Sequence, residues 1–136
     1  MKAVVKWVEN ETFIGESGSG HSIIMDGNSQ DSKAPSPMEM VLMSVGGCSS
    51  VDVVSILKKA RQNVQDVRVE LTAERREEAP RYFTNIHLHF VATGVAIKEK
   101  HLERAVALSA EKYCSVALML EQSVKITHSF EAVEAQ

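Results

Sequence analysis

Short segments rich in β-branched and aromatic residues occupy the first 26 positions of the chain. Residues 2–8 predict a strand, 12–15 can pair back against it, and 21–25 predict a third strand. Serine, glycine, aspartate and asparagine at 17–20 and 26–28 are typical of turns. The pattern therefore predicts an N-terminal β-meander, followed by a polar loop over 28–36.

A helix is predicted from the next residues. Ser36 is a candidate N-cap, Pro37 occupies the first helical position, and Glu39 follows three residues after the cap, which together form a capping box. The helix should run to about Arg61 and is apolar nearly all round as far as Cys48. A helix of this kind is buried on most sides. The meander is too small to cover it, so we expect either a wrapped sheet or a second subunit.

Two adjacent glycines, Gly46 and Gly47, lie inside this predicted helix. Each should cost ~1 kcal/mol relative to alanine. We therefore expect another element of the protein to approach the helix backbone closely at this point.

In the second half of the chain, the spacing of apolar residues changes from strand-like to helix-like and back to strand-like. Apolar and polar residues alternate over 67–73 and again over 82–92, with a charged tip at 75–81, and this predicts a β-hairpin. A second helix begins near Lys98 and either includes Cys114 or is interrupted near it. Its inner stripe comprises Leu102, Val106, Ser109 or Ala110, Tyr113 and Ala117. A last strand is predicted over 123–133. This order indicates an α+β fold in one domain, residues 1–136.

Composition narrows the functional classes. A net charge of −3 and a pI near 5.9 argue against a nucleic-acid or membrane-surface role. The N-terminal apolar stretch is too short for a signal peptide, and the apolar stretch 37–57 is broken by charged, small polar and glycine residues, which argues against a membrane span. We therefore expect a cytoplasmic protein, in which a disulfide is more often catalytic or sensing than structural.

The two cysteines of the chain, Cys48 and Cys114, both lie in apolar segments. They are either small buried hydrophobic residues or a two-cysteine redox site. A metal site formed by both thiols and a histidine has an incomplete ligand set. His87 and His89 share one strand face at a spacing that metals use, but no third ligand is evident, so solvent-facing histidines are expected. No metal or cofactor is predicted.

A reactive Cys48 would need a nearby cation, because it lies about three turns inside its helix, where the helix dipole has little effect on a thiol pKa. The chain has no arginine before Arg61. Lys33, in the loop before the helix, is the first candidate, beside His21, other N-terminal lysines and the basic tip 75–81. Glu39 has a structural role in the capping box, and it can also anchor a cation near the thiol.

The run from Pro37 to Cys48, ending in Gly-Gly-Cys, together with Glu111-Lys-Tyr-Cys114-Ser-Val, resembles the OsmC/Ohr family over essentially the whole chain. The resemblance implies an intertwined homodimer with two long central helices between sheets and active sites at the subunit interface. It also implies thiol-dependent reduction of organic hydroperoxides in bacterial oxidative-stress defence. Cys48 would be the peroxidatic thiolate and Cys114 the resolving one, with a lipoylated or thioredoxin-like dithiol as reductant.

The chain departs from the family pattern at three points. The family's peroxidases carry an arginine from the N-terminal half that pairs with a glutamate and polarises the peroxide, whereas this chain has no arginine in its first 60 residues. That glutamate directly follows the helix-start proline in the family, but here Met38 holds this place and Glu39 comes one residue later. Glu39 is therefore turned about 100° around the helix. Ser115 stands where many relatives have proline. The alternative function is thus a non-enzymatic, redox-responsive or small-molecule-binding dimer of the same fold.

Overall fold

The computed structural model describes all 136 residues and confirms the α+β fold. In chain order the elements are β1 (Ala3–Glu9), β2 (Thr12–Ser17), β3 (Ser22–Asp26), α1 (Pro37–Lys59), β4 (Asn63–Arg75), β5 (Phe83–Val95), α2 (Glu99–Leu108), a π-helical turn (Ser109–Tyr113), α3 (Ser115–Leu120) and β6 (Lys125–Glu134). The chain forms two compact units, Met1–Val41 and Leu42–Gln136. That the chain is one domain stays a prediction.

The first unit contains the predicted meander. Strands β1, β2 and β3 pair antiparallel in that order, so Trp7 lies beside Phe13 and Val5 lies beside Gly15 and Ile23 on one sheet face. All seven residues of β1 are exposed, and Trp7 retains 68% of its accessible surface. This face is apolar and has no cover within the unit.

The start of α1 confirms the predicted capping box. The Ser36 N–H donates to Glu39 Oε1 at 3.0 Å, and the Glu39 N–H donates to Ser36 Oγ at 3.1 Å. The hydrogen bond from the Ser36 backbone N–H, followed by the Ser36 side chain, lowers the pKa of the Glu39 carboxyl. The helix ends at Lys59, two residues before the predicted end, because Arg61 adopts a left-handed conformation with φ of 58°.

The second unit contains a sheet in the order β4-β5-β6. Strands β4 and β5 form the predicted hairpin, and β6 pairs with β5 in parallel after the crossover through α2 and α3. Alternate residues of β5 are buried, as are residues of α1 and α2. The core of this unit comprises Ile86, Leu88, Phe90, Ala92, Val53, Leu57, Leu102 and Val106.

The expected close approach to the glycine pair is confirmed at Gly46. A Cβ atom at this position would lie 2.7 Å from Leu71 Cδ1 and 3.2 Å from Val69 Cγ1, which are side chains of β4. A Cβ atom at Gly47 would meet no atom within 4 Å. Only the first glycine is therefore required by packing within the chain.

One side of α1 has no cover within the chain, and its cover by a second subunit stays a prediction. Met43, Gly47 and Val51 recur every four residues and share one helix face, and Met43 and Val51 are 49% and 70% exposed. We call these three residues the exposed stripe. Helix α1 also meets the length and composition criteria for a membrane span, with a mean hydropathy of 1.8. The core helix of a soluble protein meets the same criteria.

The second predicted helix is interrupted, as one of the two alternatives had it. A π-helical turn follows α2, and Cys114 then leaves helical geometry with φ of −76° and ψ of 99°. Leu102, Val106 and Ala117 are buried as predicted, but Tyr113 is 55% exposed, contrary to the predicted inner stripe. The π-helical turn spans more residues than an α-helical turn, so it rotates Tyr113 off the inner face.

Candidate thiol site

The two cysteines, 66 positions apart in sequence, are neighbours in the structure, and both are free thiols. Cys48 lies on α1 and is half-buried, whereas Cys114 is fully buried at the start of α3. Ser49, the residue after Cys48, donates a hydrogen bond to the Cys114 sulfur, and the Cys48 thiol lies close enough to raise the pKa of Cys114. The fold therefore brings together the two residues that the sequence singled out.

The sulfur of Cys114 accepts two hydrogen bonds. Ser49 Oγ, on the residue after Cys48, donates to it at 3.2 Å, and the Ala117 N–H donates at 3.4 Å. The second bond satisfies a backbone donor in the first turn of α3, so the thiol caps that helix in the position usually taken by serine or aspartate. Both donors point at the atom on which negative charge develops when the thiol ionises.

Burial is the largest influence on the ionisation of Cys114, and it raises the pKa of this thiol. The hydrogen bonds from Ser49 and Ala117 act in the opposite direction, and the neighbouring Cys48 thiol raises the pKa further. The net direction is upward. At neutral pH Cys114 is thus held as a protonated thiol next to a more accessible one.

Ser109 and Asp52 form a second hydrogen-bonded pair next to the residues that contact Cys114. Ser109 Oγ donates to Asp52 Oδ2 at 2.9 Å and lies 3.5 Å from the backbone carbonyl oxygen of Ser49. Ser109 is buried and begins the π-helical turn, and its carbonyl accepts from the Cys114 N–H at 2.8 Å. Ser109 therefore links α1, through Asp52, to the backbone that positions Cys114.

The π-helical turn explains how Cys114 reaches this position. Its closing bond runs from Cys114 back five residues to Ser109, so the turn holds one residue more than an α-helical turn. The extended conformation of Cys114 then ends one helix and begins the next. Such single π-turns inside helices are often found at functional sites.

Two other predicted site residues, Glu39 and Lys33, belong to the Met1–Val41 unit. The Glu39 carboxylate is engaged in the capping box, and Lys33 Nζ lies 3.1 Å from Asp31 Oδ1 in an exposed ion pair. The catalytic role of Glu39 and the choice of Lys33 as activating cation stay predictions.

The strand histidines lie on the face of the β4-β5-β6 sheet opposite the core, where they are half-buried. Ser129 Oγ lies 2.9 Å from His87 Nε2 and 2.7 Å from His89 Nδ1, while Thr127 Oγ1 lies 2.6 Å from His87 Nδ1. The imidazoles are thus hydrogen-bonded to hydroxyl groups of β6. The chain has no group of three or more histidine, cysteine or acidic side chains arranged to hold a metal.

Sequence reasoning missed three residues of this site: Ser49, Asp52 and Ser109. One signal was available, because Ser109 falls on the apolar inner stripe of the second helix and a buried hydroxyl needs a partner. No sequence pattern identifies Ser49 as the donor to Cys114, since that bond joins residues 65 positions apart.

The sequence of this chain is similar to those of known proteins. The sequence model of the family described as OsmC-like protein matches residues 29–129. Protein YhfA of Escherichia coli strain K12 is 69% identical over 135 residues, which cover 99% of this chain and 100% of that protein.

Solved structures are similar over nearly the whole chain. A hypothetical protein from Aquifex aeolicus VF5 is 37% identical, with a TM-score of 0.89 over 99% of this chain and 97% of that one. An organic hydroperoxide resistance protein from Elizabethkingia anophelis has a TM-score of 0.70 over 96% of this chain and 94% of that one. Its identity is only 13%, so this last similarity concerns the fold.

Proposed function

The chain belongs to the OsmC-like protein family, and from this membership we propose that it reduces organic hydroperoxides with its two thiols. Cys48 is the peroxidatic residue and Cys114 the resolving residue. The observation that carries the proposal is the neighbouring pair of free thiols, with two hydrogen-bond donors already directed at the buried sulfur.

The proposed chemistry has three steps. The Cys48 thiol first gives up its proton, and the resulting thiolate attacks the terminal oxygen of ROOH. The O–O bond breaks, the terminal OH stays on the sulfur, and the departing alkoxide takes up the proton released by the thiol and leaves as ROH. The sulfenic acid formed on Cys48 is then attacked by the Cys114 thiolate, which forms the disulfide and releases water. An external dithiol, lipoylated or thioredoxin-like, reduces the disulfide by thiol exchange.

The surroundings of the thiols support this division of roles. Cys48 is half-buried and so has an exposed part at which a peroxide can arrive, whereas Cys114 has no exposed surface. The donors Ser49 and Ala117 favour the thiolate of Cys114. A resolving thiol needs that stabilisation twice, once when it attacks the sulfenic acid and once when it leaves during reduction of the disulfide.

We also propose that two copies of the chain intertwine as a homodimer, with the active sites at the subunit interface. The exposed stripe of α1 is apolar, and Gly47 at its centre leaves room for close approach of another backbone. The sheet face formed by Val5, Trp7, Phe13 and Ile23 is likewise apolar and exposed. Uncovered apolar areas of this kind mark interaction surfaces. We expect the dimer to be cytoplasmic.

Activation of Cys48 requires a cation that the sequence does not supply as arginine in the first 60 residues. We propose that Lys33 takes this role in the assembled dimer and that the Glu39 carboxylate anchors it. The lowered pKa of Glu39 keeps that carboxylate ionised at neutral pH. The same sequence departures favour the second candidate function, a redox-responsive or small-molecule-binding dimer without efficient peroxidase activity.

One experiment separates the two functions. Fully reduced protein is mixed with one equivalent of tert-butyl hydroperoxide, thiol loss is followed by stopped flow, and the product is mapped by mass spectrometry. Rapid formation of a disulfide between Cys48 and Cys114 supports the reductase. Thiol loss no faster than that of free cysteine, with Lys33→Ala reacting like the wild type, favours the binding protein.

A further inference from the structure

The Leu42–Gln136 unit contains a cavity of about 610 Å³ between the C-terminal half of α1 and helix α2. Its volume falls within the range of small-molecule sites. Three of its lining side chains are basic: Lys59 on α1, and His101 and Arg104 on α2. None of these residues belongs to the thiol site described above.

The basic residues of the cavity have no acidic partners in the chain. The four ion pairs of the protein all lie elsewhere, and neither Lys59 nor Arg104 has a carboxylate within 4.0 Å. Unneutralised positive charge concentrated in a concave site attracts anions.

The charged residues that line the cavity are separated along the helices, so its two ends differ in charge. His101 and Arg104 are three residues apart on α2 and therefore lie on the same helix face. On α1, Asp52 lines the cavity seven residues before Lys59, a separation of about 10 Å along the helix axis. An organic anion is attracted to the Lys59–Arg104 end and repelled at the Asp52 end, which lies one helical turn after Cys48.

The other lining residues can contact the apolar part of a ligand. Ile56 and Leu108 contribute aliphatic surface, and the exposed ring of Tyr113 borders the cavity. An inorganic ion would leave this surface in contact with water. The lining therefore favours a ligand that joins an anionic group to a short apolar segment.

We propose that this cavity binds a small organic anion, whose carboxylate is held by Arg104 and Lys59 and whose apolar body lies against Ile56 and Leu108. The planar guanidinium of Arg104 can donate two parallel hydrogen bonds to a carboxylate, and Lys59 adds a point charge. The inference goes beyond the proposed hydroperoxide chemistry and does not depend on it.

Calorimetric titration of the wild-type protein with 3-phenylpropanoate tests the proposal. The neutral isostere 3-phenylpropanamide and inorganic phosphate are the matched probes, because the first lacks the charge and the second lacks the body. We expect the carboxylate to bind at least about tenfold more tightly than the amide, since hydrogen bonds to charged groups are the stronger ones. Equal affinities for the carboxylate and the amide would overturn the anion site.

Variants locate the site. Arg104→Gln and Lys59→Gln should each weaken phenylpropanoate binding by about tenfold. Lys58→Gln removes the same charge from the neighbouring, exposed residue that does not line the cavity, and it should leave the affinity unchanged. All three positions are exposed, so the variants should fold, which circular dichroism checks. Binding that is insensitive to the first two substitutions would contradict the proposal, whatever the outcome of the hydroperoxide assay.

Discussion

The two thiols lie side by side, yet their surroundings differ in nearly every respect. Cys48 is half-buried on a long helix, next to an exposed apolar stripe, whereas Cys114 is fully buried, caps a short helix and accepts two hydrogen bonds. The proposed chemistry depends on this difference: the hydroperoxide reaches the partly exposed Cys48, and the buried Cys114 reacts only with its neighbour.

The largest effect is expected when either sulfur is removed. Cys48→Ser should abolish the rapid reaction with hydroperoxide, because hydroperoxide cannot reach the buried Cys114, the only thiol left. Cys114→Ser should retain the first step and stop at a sulfenic acid on Cys48. Stopped-flow thiol loss and trapping of the sulfenic acid with dimedone, read by mass spectrometry, distinguish the two variants. If Cys48→Ser reacted as fast as the wild type, the assigned roles would be reversed.

A charge placed on the exposed stripe should remove the cover that the proposed dimer gives to the Cys48 side. Val51→Glu is expected to raise the dimer dissociation constant at least about 100-fold, because burying an unpaired carboxylate costs several kcal/mol. Gln122→Glu adds the same charge at an exposed turn and is the control. Sedimentation velocity measures both. A Val51→Glu protein that sediments like the wild type would show that the stripe is not the interface.

The helix that carries Cys48 should be sensitive to a methyl group at one glycine and not at its neighbour. Gly46→Ala forces a Cβ to within 2.7 Å of Leu71, and overpacking of this kind costs about 1–3 kcal/mol of unfolding free energy. Gly47→Ala meets no atom of the same chain and should not reproduce this loss in the protomer. Urea unfolding of both variants checks the difference. Equal stability of Gly46→Ala and the wild type would mean that β4 yields at this contact.

Removal of the Ser49 hydroxyl should make the surroundings of Cys114 more like those of an ordinary buried thiol. Ser49→Ala deletes one of two donors to the sulfur, and a hydrogen bond to a charged acceptor is worth about 1.5 kcal/mol or more. Disulfide formation should therefore slow about tenfold and shift to higher pH, while oxidation of Cys48 keeps its rate. Ser49→Thr retains the hydroxyl and should restore the rate. A uniform slowing of both steps would instead indicate a general structural defect.

The sequence predicted the features that depend on residues close together in the chain, and it failed where a local irregularity changed the ideal spacing. The meander and the start of α1 follow from neighbouring residues, such as Ser36 and Glu39 in the capping box, and both were predicted. The exposure of Tyr113 was not, because one additional residue in the π-helical turn rotates it away from a stripe drawn at ideal spacing. A local pattern contains no signal for that residue.

The sequence predicted the two cysteines of the candidate site but not the residues that hydrogen-bond around them. Cys48 and Cys114 stand out as the only thiols of the chain, and the resemblance paired them. Their hydrogen bonds depend on the packing of α1 against the start of α3, so the roles of Ser49, Ser109 and Asp52 emerge only in three dimensions. Gly46 is an intermediate case. Its energetic cost predicted a close approach, but only the structure identifies β4 as the neighbour.

The smallest predicted effect concerns the free energy of unfolding at alkaline pH, and it tests the burial of Cys114 alone. Burial raises the pKa of Cys114 above the value of 9.0 expected for an unperturbed thiol, so the folded protein holds this proton more tightly than the unfolded chain. The stabilisation is complete below about pH 9 and is lost as the pH rises from there toward the folded-state pKa. Under reducing conditions, the unfolding free energy of the wild type should therefore fall more steeply above pH 9 than that of Cys114→Ala. Urea titrations of both proteins at a series of pH values measure the two slopes, and parallel slopes would mean that burial does not hold the proton on this sulfur.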